Sequence, residues 1–206
     1  MSIEKPVDIN HINASYYNSS GSSFDRIPCS AILTKLLKEY EIKGNVLEIG
    51  SGPGNLALWM EESGCSVTCV EPAGEFAKKA IARGLKVYNV TLQQFEMDRV
   101  YDHVIAISSL IHIFKKDLPL QIKKIASGLK SGGTFFVTFI EGDSEALEDP
   151  TNKGKLRFFA RFKEEEIAAL LSPYFELQES YKIHQEKMDC NFFLMVYFRR
   201  NEEDLQ

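Results

Sequence analysis

The sequence predicts an α/β protein built on a mostly parallel sheet, and three features carry that expectation. Short apolar runs alternate with stretches of helical periodicity from Val46 to Ile140. A bare turn, Gly50-Ser51-Gly52-Pro53-Gly54, separates the first run from the helix behind it. The chain then closes on two apolar runs, Tyr174 to Ile183 and Asn191 to Arg199, with no helix between them. Strict alternation of strand and helix implies parallel pairing with right-handed crossovers, because each helix returns the chain to the same end of the sheet. Two runs joined by the short segment HQEKMD form an antiparallel hairpin instead. Five alternating strands plus the hairpin make a seven-stranded, mostly parallel sheet inside a three-layer sandwich.

Residues 1 to 24 are rich in Asn and Ser, carry Tyr16 and Tyr17 side by side and show no sustained periodicity, so they read as a flexible arm. Ile32, Leu33, Leu36 and Leu37 recur at helical spacing and predict a helix over Pro28 to Tyr40 that ends near Gly44. Val46, Leu47 and Ile49 form a buried strand stopped at Gly50, and Asn55 to Glu62 resumes as a helix closed by Gly64. Ser66 to Val70 alternates and ends on Glu71 and Pro72; Ala73 to Arg83 is its helix. Leu85 to Val90 and Tyr101 to Ile107 supply the third and fourth strands. Asp117 to Leu129 places Ile122, Ile125, Ala126 and Leu129 on one helical face, and Gly132 and Gly133 mark the turn into Thr134 to Ile140. The acidic stretch Glu141 to Asn152 and the basic, aromatic stretch Lys153 to Lys163 read together as a strand-end loop over 141–163. Glu164 to Leu171 is a last helix, stopped near Pro173.

A chain of 206 residues suits one domain, and 44% hydrophobic with 26% charged residues is the composition of a soluble globular protein. No apolar run reaches the roughly 20 residues of a membrane span, and the polar N-terminus lacks a signal-peptide core, so the cytoplasm is the expected compartment and no membrane partner is expected. Cys29, Cys65, Cys69 and Cys190 are too scattered for a disulfide scaffold or a zinc site and are expected to be reduced; no metal is expected. A net charge of −5 disfavours a nucleic-acid partner, which needs a large phosphate-binding footprint.

The loop after the first strand is where chemistry is expected. Backbone N–H groups of a glycine turn and of the helix start behind it offer donors to an oxygen-rich ligand. The dinucleotide fingerprint GxGxxG wants a glycine at position 55, where this chain has Asn; its glycines fall at 50, 52 and 54, as GxGxG. With Glu71 ending the second strand and a terminal hairpin, VLEIGSGPGNLAL resembles motif I of the class I S-adenosylmethionine-dependent methyltransferases, and the likeness spans roughly Lys43 to Arg200.

That resemblance implies a Rossmann-like fold, S-adenosyl-L-methionine as cofactor with S-adenosyl-L-homocysteine as product, and methyl transfer to a small-molecule acceptor by a monomer or homodimer. It implies that Gly50, Ser51, Gly52 and Gly54 line the methionine and ribose part of the cofactor, that Glu71 with Pro72 beside it binds the ribose hydroxyls, and that Glu48 meets loop N–H groups or the cofactor's ammonium. Where similar enzymes carry an acidic residue for adenine, this chain has Thr91, Leu92 and Gln93. Ser108, Ser109 and His112 border the reaction site, with His112 as the candidate base on the strength of its near-neutral pKa. Tyr16 and Tyr17 sit in an arm that in similar enzymes folds over the cofactor as a lid, and the 141–163 loop lies over the acceptor site. Arg157 and Arg161 either clamp a carboxylate or phosphate on the acceptor or pair with the acidic loop before them. A tRNA or protein acceptor, an NAD-dependent oxidoreductase and a non-catalytic cofactor-binding protein are the alternatives to be weighed.

Overall fold

The computed structural model describes residues 7–20, 24, 30–97, 100–149 and 154–201. In chain order the elements are α1 (Ile9–Ser19), α2 (Ala31–Glu39), β1 (Gly44–Ile49), α3 (Asn55–Glu62), β2 (Cys65–Val70), α4 (Gly74–Ala82), β3 (Lys86–Tyr88), β4 (Tyr101–Ala106), α5 (Leu118–Gly128), β5 (Leu129–Glu141), β6 (Glu145–Glu148), β7 (Arg157–Phe162), α6 (Glu164–Leu171), β8 (Phe175–Gln185) and β9 (Cys190–Arg199). The main sheet runs β3-β2-β1-β4-β5-β9-β8, parallel through β5 and antiparallel at β9 and β8. These seven strands are the Rossmann-like sheet with a C-terminal hairpin that the sequence predicts, and β7 and β6 extend it to nine strands from the end of β5.

Successive side chains of a strand point to opposite faces, and here both faces are covered. Leu47, Val104 and Phe135 enter one core layer with Ile122 and Ile125 of α5 and Ile167 of α6. Their neighbours Val46, Ile105 and Phe136 enter the other, with Leu36 and Leu37 of α2 and Ala57 and Met60 of α3. Both layers therefore hold β1 rigidly, and truncating one of these large side chains to Ala costs about 2–5 kcal/mol. Cys65 and Cys69 are buried in this core and Cys190 is half-buried; all three are free thiols. Cys29 lies outside the described residues. Among the described residues no helix is long and apolar enough to cross a membrane.

Three segments differ from the sequence reading. The arm expected over 1–24 is helical from Ile9 to Ser19, capped by Asp8, whose side chain accepts from the His11 N–H; residues 1–6 and 21–23 lie outside the described residues. The side of α1 that lines the cavity carries Asn10, Asn13, Ala14 and Tyr17, spaced i, i+3, i+4 and i+7, while its buried residues are Ile9, Asn13 and Tyr16, so polar residues interrupt the apolar stripe. The loop expected over 141–163 contains a hairpin: β6 pairs antiparallel with β7, and β7 continues parallel to the end of β5 at Ile140–Arg161 and Glu141–Phe162. Residues 150–153, within the connection between β6 and β7, lie outside the described residues. The turn expected at Gly132 and Gly133 is an irregularity inside β5, where the register against β4 slips between Tyr101–Leu129 and His103–Thr134.

Candidate active site

A cavity of about 560 Å³ opens where β1, β2 and β4 end. Parallel strands expose their carboxyl ends on one edge, and the loops leaving them diverge there, which makes this edge the natural crevice. Its floor is the glycine turn. The Gly50 N–H donates to the Val70 carbonyl at 2.7 Å and ties the exit of β1 to that of β2. Gly52 and Gly54 both hold left-handed backbone, φ +57° and +85°, but for different ends. A Cβ on Gly52 would meet only Phe76 Cδ2, at 3.9 Å, across the cavity, whereas one on Gly54 would sit 2.3 Å from Leu85 Cδ1 and 3.2 Å from Ala80 Cβ. Gly54 is thus the residue that lets α3 start against α4, and it does not line the cavity.

Two buried carboxylates bracket the turn. Glu71 accepts the Gly52 N–H at Oε2 and the Ala73 N–H at Oε1, both at 2.7 Å, so one side chain fixes the turn and the entry to α4. Burial pushes its carboxyl up to about 7 against those two N–H bonds, which lower it. Glu48 sits inside β1 and is pushed up to about 8 by burial and then by the charge of Glu71; the Ala57 N–H donates to it, yet its Oε2 has no partner. Thr91, Leu92 and Gln93 form the wall after β3, and Lys124 Nζ anchors this wall from α5 by donating to the carbonyls of Leu92, Gln93 and Phe95 at 2.9–3.0 Å.

The opposite wall follows β4. Ser108 holds φ +52°, an uncommon conformation for a side chain with a Cβ, with its N–H donated to Thr138 Oγ1 at 2.7 Å. The next residue, Ser109, presents a buried hydroxyl without a partner. His112 Nδ1 lies 2.7 Å from the Phe158 carbonyl, which can only accept, so the proton belongs on Nδ1 and Nε2 is left to accept. It accepts from the Tyr17 hydroxyl at 2.8 Å, and the Tyr17 oxygen accepts from Arg157 Nη1 at 3.1 Å. Burial, with the nearby Arg157 charge adding to it, takes His112 down to about 4. The near-neutral base expected at this position is therefore corrected: His112 is a neutral imidazole with both ring nitrogens engaged. Burial raises the Tyr17 phenol, against Arg157, which lowers it.

α1 roofs the cavity and is fastened on both sides. Asn13 Oδ1 accepts the Phe158 N–H of β7 at 2.8 Å, and Asn18 Oδ1 accepts the Glu75 N–H at the start of α4 at 2.9 Å. Of the residues singled out in the sequence, Glu48, Gly50, Ser51, Gly52, Glu71, Pro72, Thr91, Leu92, Gln93, Ser108, Ser109, His112 and Tyr17 line this one cavity. Gly54, Tyr16, Arg157 and Arg161 do not. Tyr16 is buried against the Arg157 guanidinium, and Arg161 forms a two-point ion pair with Glu148 of β6 at 3.1 and 2.6 Å, the pairing with the acidic stretch that the sequence offered as one of two readings. Sequence reasoning missed Asn10, Asn13, Phe24, Phe76 and Gln185, which also line the cavity. The i, i+3, i+4, i+7 spacing of α1 was the available signal for the two asparagines; Gln185 is brought in by the length of β8, which nothing local encodes.

Comparison with known proteins gives the same direction throughout. Residues 23–176 match the sequence model of a family described as methyltransferase domain. An uncharacterized methyltransferase of Bacillus cytotoxicus is 28% identical over 120 residues, 56% of this chain and 57% of that protein, so the match spans little more than half the length of this relative. Among solved structures, Burkholderia thailandensis 1,6-didemethyltoxoflavin-N1-methyltransferase, with bound 1,6-didemethyltoxoflavin and S-adenosylhomocysteine, superposes with a TM-score of 0.69 at 20% identity, covering 97% of this chain and 94% of that one. Magnesium protoporphyrin IX methyltransferase of Synechocystis PCC 6803, with bound S-adenosylmethionine, gives 0.72 at 16% identity over 96% and 100%. At these identities the likeness to the two structures is one of fold.

Proposed function

The chain belongs to the methyltransferase-domain family, and from that premise we propose that it transfers a methyl group from S-adenosylmethionine to a small-molecule acceptor held in the same cavity. The observation that carries this reading is that the glycine turn with its two carboxylates and the Tyr17, Ser109 and His112 wall share one cavity of about 560 Å³ under α1, a size ordinary for a small-ligand site. The chain's own groups fit the cofactor's chemistry. The orphaned Glu48 Oε2 is an acceptor in want of a cation or donor, which an amino-acid ammonium supplies. Each Glu71 oxygen is used once by a backbone N–H and keeps a lone pair for a ribose hydroxyl. The open side of Gly52 leaves room for a ligand to approach the backbone.

The bound sulfonium supplies an activated methyl group, so the protein's task is to orient the acceptor and exclude water. Ser109 offers an unpaired hydroxyl to the acceptor, and Tyr17, Phe24 and Phe76 provide aromatic walls. The test is incubation of the protein with methyl-tritiated S-adenosylmethionine and separate fractions of cell metabolites, RNA and protein. Label moving into the metabolite fraction is the expected result; label in RNA or protein with none in metabolites would overturn the small-molecule reading.

A further inference from the structure

We propose that Arg157 anchors an anionic oxygen group, carboxylate or phosphate, on the methyl acceptor, an inference that rests on the methyltransferase reading above. Arg157 opens β7 and is 9% exposed. Its guanidinium carbon lies 4.3 Å from the ring centre of Tyr16, 4.9 Å from that of Phe159 and 5.5 Å from that of Tyr17. Among the described residues its hydrogen bond is the one from Nη1 to the Tyr17 oxygen, and its Nε is buried without a partner. Among the described residues no carboxylate pairs with it. Four residues on, Arg161 shows what a matched arginine on the same strand looks like, with both faces of its fork on Glu148.

A buried guanidinium that no carboxylate among the described residues neutralises is costly, and three aromatic rings offset only part of the cost. An entering anion would supply the counter-charge. Tyr17 lines the cavity, and its oxygen lies between Arg157 Nη1 and His112 Nε2. An anionic oxygen that displaces this phenol meets Nη1, and Nη2 on the same end of the guanidinium completes the two-point fork that carboxylates and phosphates prefer. Arg157 sits on β7, beyond β4 and β5 from the glycine turn at the end of β1. An acceptor whose anionic end meets Arg157 has its reacting atom on the side of the glycine turn.

The experiment uses the protein saturated with S-adenosylhomocysteine and titrates benzoate, phenyl phosphate and the neutral benzamide by ligand-observed NMR. One or both anions should bind about tenfold or more tightly than benzamide, and in Arg157→Met that ratio should fall to about one, the loss expected of a charge-assisted fork. Affinity for S-adenosylhomocysteine by calorimetry should not change. If Arg157→Met does not fold, Arg157→Lys is read instead: it keeps the charge and loses the fork, and the ratio should drop about threefold or more. Equal binding of anions and benzamide by the wild type, or a preference that survives in the variant, overturns the proposal. So does an Arg157→Met protein that loses S-adenosylhomocysteine but keeps 5′-methylthioadenosine, because Arg157 then serves the cofactor's own carboxylate. Failure of the wild type to bind S-adenosylhomocysteine at all sinks the methyltransferase reading itself, and the proposal with it.

Discussion

Gly52 and Gly54 stand two residues apart in one turn, and the structure predicts that adding a methyl group to each breaks a different property. Both are left-handed, so an alanine at either costs about 1–2 kcal/mol from backbone strain alone. At Gly52 little is added to that, since the new Cβ meets only Phe76 Cδ2 at 3.9 Å. At Gly54 the Cβ would lie 2.3 Å from Leu85 Cδ1 and 3.2 Å from Ala80 Cβ, and overpacking of this kind adds about 1–3 kcal/mol. Gly54→Ala should therefore lose about 2–5 kcal/mol and Gly52→Ala about 1–2 kcal/mol. In a chain of this size each kcal/mol lowers the melting point by roughly 2–4 °C, so the gap is resolvable by circular dichroism. Binding should rank the other way. The Gly52 methyl group projects into the cavity beside the N–H that holds Glu71, and affinity for S-adenosylhomocysteine should drop roughly tenfold or more, while folded Gly54→Ala protein should stay within about threefold of the wild type. If Gly52→Ala were the less stable variant, or Gly54→Ala lost the ligand at temperatures where it remains folded, this division of labour in the turn would be wrong.

Other perturbations probe the two walls. Glu48 and Glu71 have folded-state pKa values of about 8 and about 7, above the unfolded range, so the folded protein holds extra protons and stability falls as pH rises from about 4.5 through those values. Melting points at pH 5.5 and 8.5 should show that loss, and Glu48→Gln should reduce it; a variant with the same pH dependence as the wild type would refute the assignment. His112, taken down to about 4, should give imidazole NMR signals that stay neutral from pH 8 to 5.5, identified by their absence in His112→Gln; a midpoint near 6.5 would contradict the Tyr17 and Phe158 bonds. Asn13→Ala leaves the Phe158 N–H unpaired under α1 and should cost about 1–3 kcal/mol in urea denaturation. A change under about 0.5 kcal/mol would mean that α1 is not fastened there.

What could be read in the chain, and what could not, follows from how each feature is encoded. β1 and its turn are written locally: an apolar run, a stop at Gly50 and a helix start at Asn55 are all within reach of one another, and the observed β1 and α3 match them. Glu71 is legible for the same reason, because a carboxylate at a strand end is a local mark. The sequence did not distinguish Gly54 from Gly52, since the difference lies in Leu85 and Ala80, which α4 brings back some thirty residues later. The chemistry of His112 was misread for a parallel reason. An isolated histidine suggests a near-neutral base, but its protonation is decided by the Phe158 carbonyl, the Tyr17 hydroxyl and the Arg157 charge, from β7 and α1. Both of those elements were themselves hidden, α1 because Asn13 interrupts Ile9 and Tyr16 on its buried face, and β7 because its Arg157 and Arg161 masked a strand as a basic loop. The glycine-turn side of the cavity is thus a local text and the side built from α1 and β7 a tertiary one, which is why the turn points to a family, while deciding between the two sequence readings of Arg157, an anion clamp or a partner of the acidic stretch, takes the neighbours that the fold brings to it.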